Sequence, residues 1–287
     1  MLLMRHVCFI PVLVWQIAFL PAVSSVFRFA DNLKEGDQTL LSDIAPSNPS
    51  DSSATDIWSR SDFLLTTFWK HSDGFASSPR DNNAVEVGDD GERAIFTYGE
   101  VTTMGVRQLA DALFFDATTT PFSETKGAAT AVFYDLGSGV GRLVSQMYLD
   151  RVVQRAIGVE LSEERHRIAV DDWGRLTASS LVDGGDDEFD IDRRAVQFIQ
   201  GDAAAVDLSD ATHIYISSLC FPDSVLGIIQ DTVLTIASSC TSRISVVAAM
   251  SELGELERAG WAKTVRHIQM TWGGGLVRIY TRPMQCH

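Results

Sequence analysis

Basic residues are scarce in this chain of 287 residues. Against 38 Asp and Glu there are only 23 Lys and Arg, for a formal net charge of −15. Affinity for duplex nucleic acid comes largely from Lys and Arg that displace counterions, so strong nucleic-acid binding is not expected. Cysteine is scarcer still. Cys8, Cys220, Cys240 and Cys286 are the only four, and no pair has zinc-ligand spacing, which argues against both a disulfide framework and a zinc site. The six histidines are scattered, with no HExxH or HxH cluster, so no dedicated metal site is expected. No internal repeat is apparent. What is present, 45% hydrophobic and 21% charged residues, is the composition of an ordinary globular chain, and the length suits one domain plus extensions.

The acidity is concentrated. Residues 31 to 90 carry 12 acids against 4 bases, and residues 171 to 192 carry 8 acids against Arg175 alone. Both segments are read as solvated by default, with recognition of a basic substrate tail as the alternative. Residues 1–25 (MLLMRHVCFIPVLVWQIAFLPAVSS) combine Arg5 and His6 with an apolar run and a small-residue exit. That is the layout of a secretory signal peptide, with an uncleaved membrane anchor as its rival. Residues 26–92 read as an acidic, largely disordered extension with a short helical piece around Ile57 to Trp69. The domain itself is expected over residues 93–287.

There, strands alternate with helices. The apolar run AVFYDLGS (131–138) reads as a strand buried on both faces, and RAIGVEL (155–161), AVQFIQGD (195–202), HIYISSLCF (213–221) and RISVVAAM (243–250) follow as further strands. Helical spacing separates them, with Ser162 as an N-cap and Pro222 at a helix start. Two alternating strands then flank Gly273-Gly274-Gly275, expected to be the turn of a hairpin. The pattern implies an α/β, Rossmann-like doubly wound, mostly parallel seven-stranded sheet with a C-terminal antiparallel hairpin. Ligands of such sheets sit beyond the carboxyl ends of the strands.

The chemistry-bearing residues fall there. Asp135-Leu136-Gly137-Ser138-Gly139-Val140-Gly141 ends the first strand and opens a helix, the glycines letting backbone approach a ligand closely. Glu160 closes the second strand, where a carboxylate can accept two ribose hydroxyls, and Asp202 with Ala203 follows the third, where an adenine edge can be read. A dinucleotide fingerprint requires G-x-G-x-x-G, but the sixth position here is Arg142. The G-x-G-x-G spacing with an acid before it fits S-adenosyl-L-methionine better than NAD. A purely structural strand-turn-helix accounts for the glycines but not for Glu160 and Asp202 together.

Tyr98-Gly99-Glu100, VFYDLGSGVGR, GVEL, QGDA and IYISSLCFPDSV, in that order, resemble the motif series of the Dot1-type histone-lysine methyltransferases over roughly residues 94 to 283. The resemblance implies that Tyr98 and Glu100 lie over the methionine end of S-adenosyl-L-methionine, Asp135 and Gly137 beneath it, Glu160 on the ribose and Asp202 with Ala203 at the adenine. Three departures stand out: Val101 where the family has Thr, Arg142 where it has Gln, and Ser217-Ser218 where it has Asn-Asn. With that substitution, Ser217 and Ser218 are expected to position the acceptor amine or the cofactor. Tyr98 and Phe221 would form walls, and Trp272 is either a third wall or hairpin packing. His213 is expected to be structural.

The expected activity is methyl transfer to a protein lysine. Alternatives are a small-molecule or non-histone protein acceptor and a non-catalytic S-adenosyl-L-methionine-binding module. No Asn/Asp-Pro-Pro-Tyr sequence is present, which argues against DNA bases and glutamine as acceptors. A membrane partner is expected only if the N-terminal segment stays attached. That segment suggests the secretory pathway or an organelle, whereas the family resemblance implies the nucleus.

Overall fold

The computed structural model describes residues 52–72, 74, 100–114, 130–179, 181 and 191–283. The expected signal or anchor segment, the polar stretch after it, Tyr98 and residues 182–190 of the acidic insert lie outside the described residues.

A run of apolar residues can be buried on both faces of a sheet, and Val132–Leu136 (β1) is buried at all five positions. Alternation places Phe133 and Asp135 on one face and Val132, Tyr134 and Leu136 on the other. Parallel neighbours flank it: Arg155–Glu160 (β2) on one side and His213–Ile216 (β4) on the other. Val196–Gln200 (β3) extends the sheet beyond β2, and Val246–Ala249 (β5) extends it beyond β4. Gly273–Thr281 (β7) runs antiparallel to β5, with Ala262–Met270 (β6) at the edge. The order β3-β2-β1-β4-β5-β7-β6 is the doubly wound, mostly parallel sheet expected from the sequence. The order in which strands are added reverses between β1 and β4, which opens the crevice where such sheets bind ligands.

Helices cover both faces. Ser52–Phe68 (α1), Thr103–Phe114 (α2), Arg142–Leu149 (α3) and Glu163–Thr177 (α4) lie on the side of Phe133. Asp223–Ala237 (α5) and Gly254–Arg258 (α6) lie on the side of Leu136. Each face contributes a core of aliphatic and aromatic side chains, and this burial is the main driving force for the fold.

Several expectations shift. The strands are shorter than their apolar runs, because the carboxyl ends turn before the hydrophobicity stops. Gly137 adopts φ +89°, which ends β1, and a 3₁₀ turn at Ser218–Cys220 follows β4. The hairpin turn is not the glycine triplet. Met270 pairs with Gly273, so Thr271 and Trp272 make the turn and all three glycines belong to β7. Packing explains one of them: a Cβ on Gly275 would fall 2.9 Å from the Met270 side chain. Trp272 is half exposed at the tip rather than packed in the hairpin. Asp171 and Asp172, read as the start of an acidic insert, belong to α4 and pair with Arg167 and Arg175.

The largest revision concerns α1. Its sequence neighbours are polar, so it read as a piece of an extension. The structure docks it into the domain through Leu64, Leu65 and Trp69, all buried in the core of the Phe133 face. A polar hub locks it there. Arg107 of α2 bonds Asp62 at 2.7 Å and the Trp58 carbonyl at 3.3 Å, and pairs with Asp150, just after α3, at 3.1 Å. Its guanidinium also lies 4.8 Å from the Trp58 ring centre, within cation–π range. Ser61 donates to Asp150, and Gln146 donates to the same carboxylate at 3.0 Å.

Candidate active site

Loop chemistry builds the donor side. After Leu136, the N–H groups of Gly137 and Ser138 both donate to the Val159 carbonyl, at 2.8 and 3.0 Å, which bends the chain off β1 and over the end of β2. Gly139 and Gly141 adopt φ +55° and +77°, and Gly141 is the N-cap of α3. These are left-handed conformations that a side chain disfavours. At Gly141 space forbids one as well, since a Cβ would lie 2.4 Å from the Phe198 ring and 2.8 Å from Ala169. Gly141→Ala should destabilise the protein by about 2 kcal/mol or more, from strain and overpacking together. Chemical denaturation with and without S-adenosyl-L-homocysteine measures it; an unchanged midpoint would mean that Phe198 moves aside freely.

Glu160 closes this loop. Its carboxylate accepts the Gly139 N–H at 2.8 Å through one oxygen and the Ser162 N–H at 2.9 Å through the other. Each oxygen retains a lone pair for a further donor. Ser162 caps α4 as expected, accepting the Arg165 N–H at 3.3 Å.

Asp135 lies at the end of β1, in register with Gly158 on one side and Tyr215 on the other. It is buried, and its Oδ1 has no hydrogen-bond partner among the described residues; neither has the Tyr215 hydroxyl. Burial, with Glu160 nearby, pushes the Asp135 carboxyl up to about 8. An orphaned acid beside a glycine loop suits a ligand that brings a cation.

Asp202 is exposed beyond β3 and accepts the Ala204 N–H at 2.8 Å, with Ala203 half-buried next to it. The Gly201 N–H donates to the Glu160 carbonyl at 3.0 Å, which brings this turn alongside β2. Asp135, Glu160 and Asp202 thus share the carboxyl edge of three adjacent strands.

The other wall comes from β4. Ser217 donates its N–H to the Leu136 carbonyl at 3.0 Å, and the Phe221 ring lies where a Cβ on Gly137 would come within 3.2 Å of it. Ser218, expected beside Ser217 at the acceptor, is placed elsewhere. It is 1% exposed, its hydroxyl accepts the Ser251 N–H at 2.8 Å, and its carbonyl accepts from the Ser251 hydroxyl. The 3₁₀ turn points it at the end of β5. Glu100 is held on the hairpin tip, where Thr271 N–H donates to its carbonyl at 2.8 Å. Its carboxylate faces Arg142 at 3.9 Å. His213 lies at the opposite end of β4, its ring centre 4.1 Å from that of Phe114 with the planes tilted by 33°, and burial pushes it down to about 4, so it is neutral and structural.

Two contributors escaped the sequence reading. Phe198 fills the space that Gly141 and Gly158 leave, and Trp69 donates its indole N–H to the Val140 carbonyl at 2.8 Å. Only the helical spacing around Trp69 hinted at packing.

S-adenosyl-L-methionine fits the residues present. Its ammonium matches the unpartnered Oδ1 of Asp135, its ribose hydroxyls match the spare lone pairs of Glu160, and it brings no pyrophosphate for a G-x-G-x-x-G turn to hold.

The family comparison agrees with this fit. The family model described as histone methylation protein DOT1 matches residues 98–253. No curated protein matches the chain. Among solved structures, an RNA methyltransferase from Salinibacter ruber with S-adenosyl-L-homocysteine is similar at 21% identity, covering 64% of this chain and 92% of that one, with a TM-score of 0.38. A SAM-dependent methyltransferase from Geobacter sulfurreducens, also with S-adenosyl-L-homocysteine, is similar at 17% identity, covering 66% and 57%, with a TM-score of 0.35.

Proposed function

Because the chain belongs to the family of the histone methylation protein DOT1 and is an S-adenosyl-L-methionine-dependent methyltransferase, we propose that it methylates the side-chain amine of a protein lysine. The observation that carries this reading is the span of the family match. It runs from Tyr98 through the Ser217 to Phe221 turn to Leu253, and so includes the acceptor side of the mouth as well as the donor side.

S-adenosyl-L-methionine supplies a methyl group on a sulfonium, open to in-line displacement by a nucleophile. The task of the protein is alignment and exclusion of water. Asp135 would hold the ammonium, the Gly137 to Gly141 loop would line the methionine end with Tyr98 and Glu100, Glu160 would take the ribose, and Asp202 with Ala203 the adenine. A lysine reacts as the neutral amine, and an apolar channel disfavours its ammonium. Phe221 over Gly137 supports such a wall, with Tyr98 as a second, and the Ser217 hydroxyl is the group assigned to orient the amine. The net charge of −15 favours an acceptor on a free protein over one wrapped in DNA. The N-terminal apolar segment supports delivery to the secretory pathway or an organelle.

The test is incubation of tritiated S-adenosyl-L-methionine with nucleosomes, free histones and a cell lysate. The expected result is labelled protein that yields methyl-lysine on acid hydrolysis. Label confined to RNA or small molecules would sink the lysine reading, and efficient labelling of histones within nucleosomes would overturn the preference for a free protein.

A further inference from the structure

α1 and Trp69 precede the segment matched by the family model, residues 98–253, yet Trp69 reaches the centre of the donor loop. Its ring is 4% exposed and its indole N–H donates to the Val140 carbonyl at 2.8 Å. Val140 lies one residue before the N-cap Gly141. The Gly141 carbonyl accepts the first helical bond, from Ser145 at 3.0 Å, so the Val140 carbonyl lies outside the helix ladder. Val140 is itself 1% exposed, so water cannot replace the indole without a rearrangement. The residue before it, Gly139, supplies the N–H that meets Glu160. One peptide therefore separates the indole contact from the Glu160 contact.

The support behind Trp69 is firm. Arg175 of α4 donates to the Phe68 carbonyl at 2.9 Å, Ser72 bonds Asp172, and the Arg107 hub fixes the other end of α1. The indole is thus held by elements on both sides of the loop that it touches.

The geometry points to Trp69 as a positioning residue for the cofactor: through the Val140 carbonyl it sets the orientation of the Gly139 N–H and the start of α3, and so keeps the loop in its binding form. This makes α1 part of the donor site. The inference rests on the reading of this loop as the S-adenosyl-L-methionine site.

Trp69→Phe in the full chain keeps an aromatic ring, though a smaller one, and removes the donor. The dissociation constant for S-adenosyl-L-homocysteine, measured by calorimetry, should rise about tenfold, the effect of one buried hydrogen bond. Leu64→Ala, which weakens the same core from within α1 but removes no hydrogen bond to the loop, should lower thermal stability and leave that constant unchanged. An equal loss of affinity in both variants, or unchanged affinity in Trp69→Phe, would overturn the proposal. A second measurement needs no variant: saturating S-adenosyl-L-homocysteine should slow hydrogen exchange of the Trp69 indole N–H, and unchanged exchange counts against the proposal. Failure of the wild type to bind the cofactor product at all would instead refute the reading of the loop.

Discussion

Replacing Glu160 with alanine should raise the dissociation constant for S-adenosyl-L-methionine by about two to three orders of magnitude. The carboxylate is 6% exposed and joins two backbone donors from different segments, Gly139 in the loop and Ser162 at the start of α4. Hydrogen bonds to a charged group contribute about 1.5–3 kcal/mol each, and a factor of ten in affinity corresponds to about 1.4 kcal/mol. In the variant both N–H groups lose their partner, so the loop must be ordered at the moment of binding, and the ribose loses its acceptor as well. Glu160→Gln separates these terms. Its amide oxygen can still meet one backbone N–H, while the amide nitrogen faces the other and repels it, so a loss of about tenfold is expected. Calorimetric titration of both variants with S-adenosyl-L-homocysteine is the measurement. An alanine variant within fivefold of wild type would show that the Gly139 to Glu160 contact is incidental.

Cofactor affinity should also climb with pH through the neutral range. In the free protein burial and the neighbouring Glu160 push the Asp135 carboxyl up to about 8, so below that pH it carries a proton and offers no charge to an ammonium. A bound ammonium favours the ionised carboxylate and lowers its pKa, so binding below pH 8 releases a proton. Affinity then rises by close to tenfold per pH unit up to about 8 and levels beyond it. The stability of the ligand-free protein runs the opposite way. Unfolded, the same carboxyl titrates near 3.9, so its contribution is fully present below about 4 and is lost as pH rises through about 8. Titrations in buffers of different ionisation enthalpy would report the released proton, and melting curves would report the stability arm. Asp135→Asn should flatten both pH dependences. A dissociation constant that stays constant between about pH 6 and pH 8 would place the ammonium elsewhere.

Much of this site was legible because each donor-side residue ends or follows a strand-like run, buried in β1 and β2 and mostly exposed at the sheet edge in β3. Asp135, Glu160 and Asp202 end or follow three such runs, and a doubly wound sheet brings those ends together whatever the detail of packing. Strand lengths were less legible. An apolar run records burial, whereas a strand ends where backbone dihedrals change, as at Gly137. Ser217 and Ser218 show the same limit. They are adjacent and chemically identical, but a 3₁₀ turn sends one toward the mouth and the other into Ser251. The Gly273 to Gly275 triplet misled for a related reason: glycine marks turns, yet here Gly275 lets β7 pass close to Met270. Local composition was weakest for α1. Its place depends on partners far along the chain, Val140 and Arg107 among them, and nothing in its own neighbourhood announces them.

The Arg107 hub bears on how such a gene can be divided. Arg107 and Asp150 lie within the matched segment, while Trp58, Ser61 and Asp62 lie before it. Cutting at the family boundary would take Trp58, Ser61 and Asp62 away from Arg107 and Asp150, which would keep only each other and Gln146, and would strip Leu64, Leu65 and Trp69 from the core. Removing even one large apolar side chain from a core costs about 2–5 kcal/mol, a large share of the stability of an ordinary domain. The smallest piece able to travel intact through recombination or truncation therefore begins at α1, some 45 residues before the stretch by which its kinship is recognised.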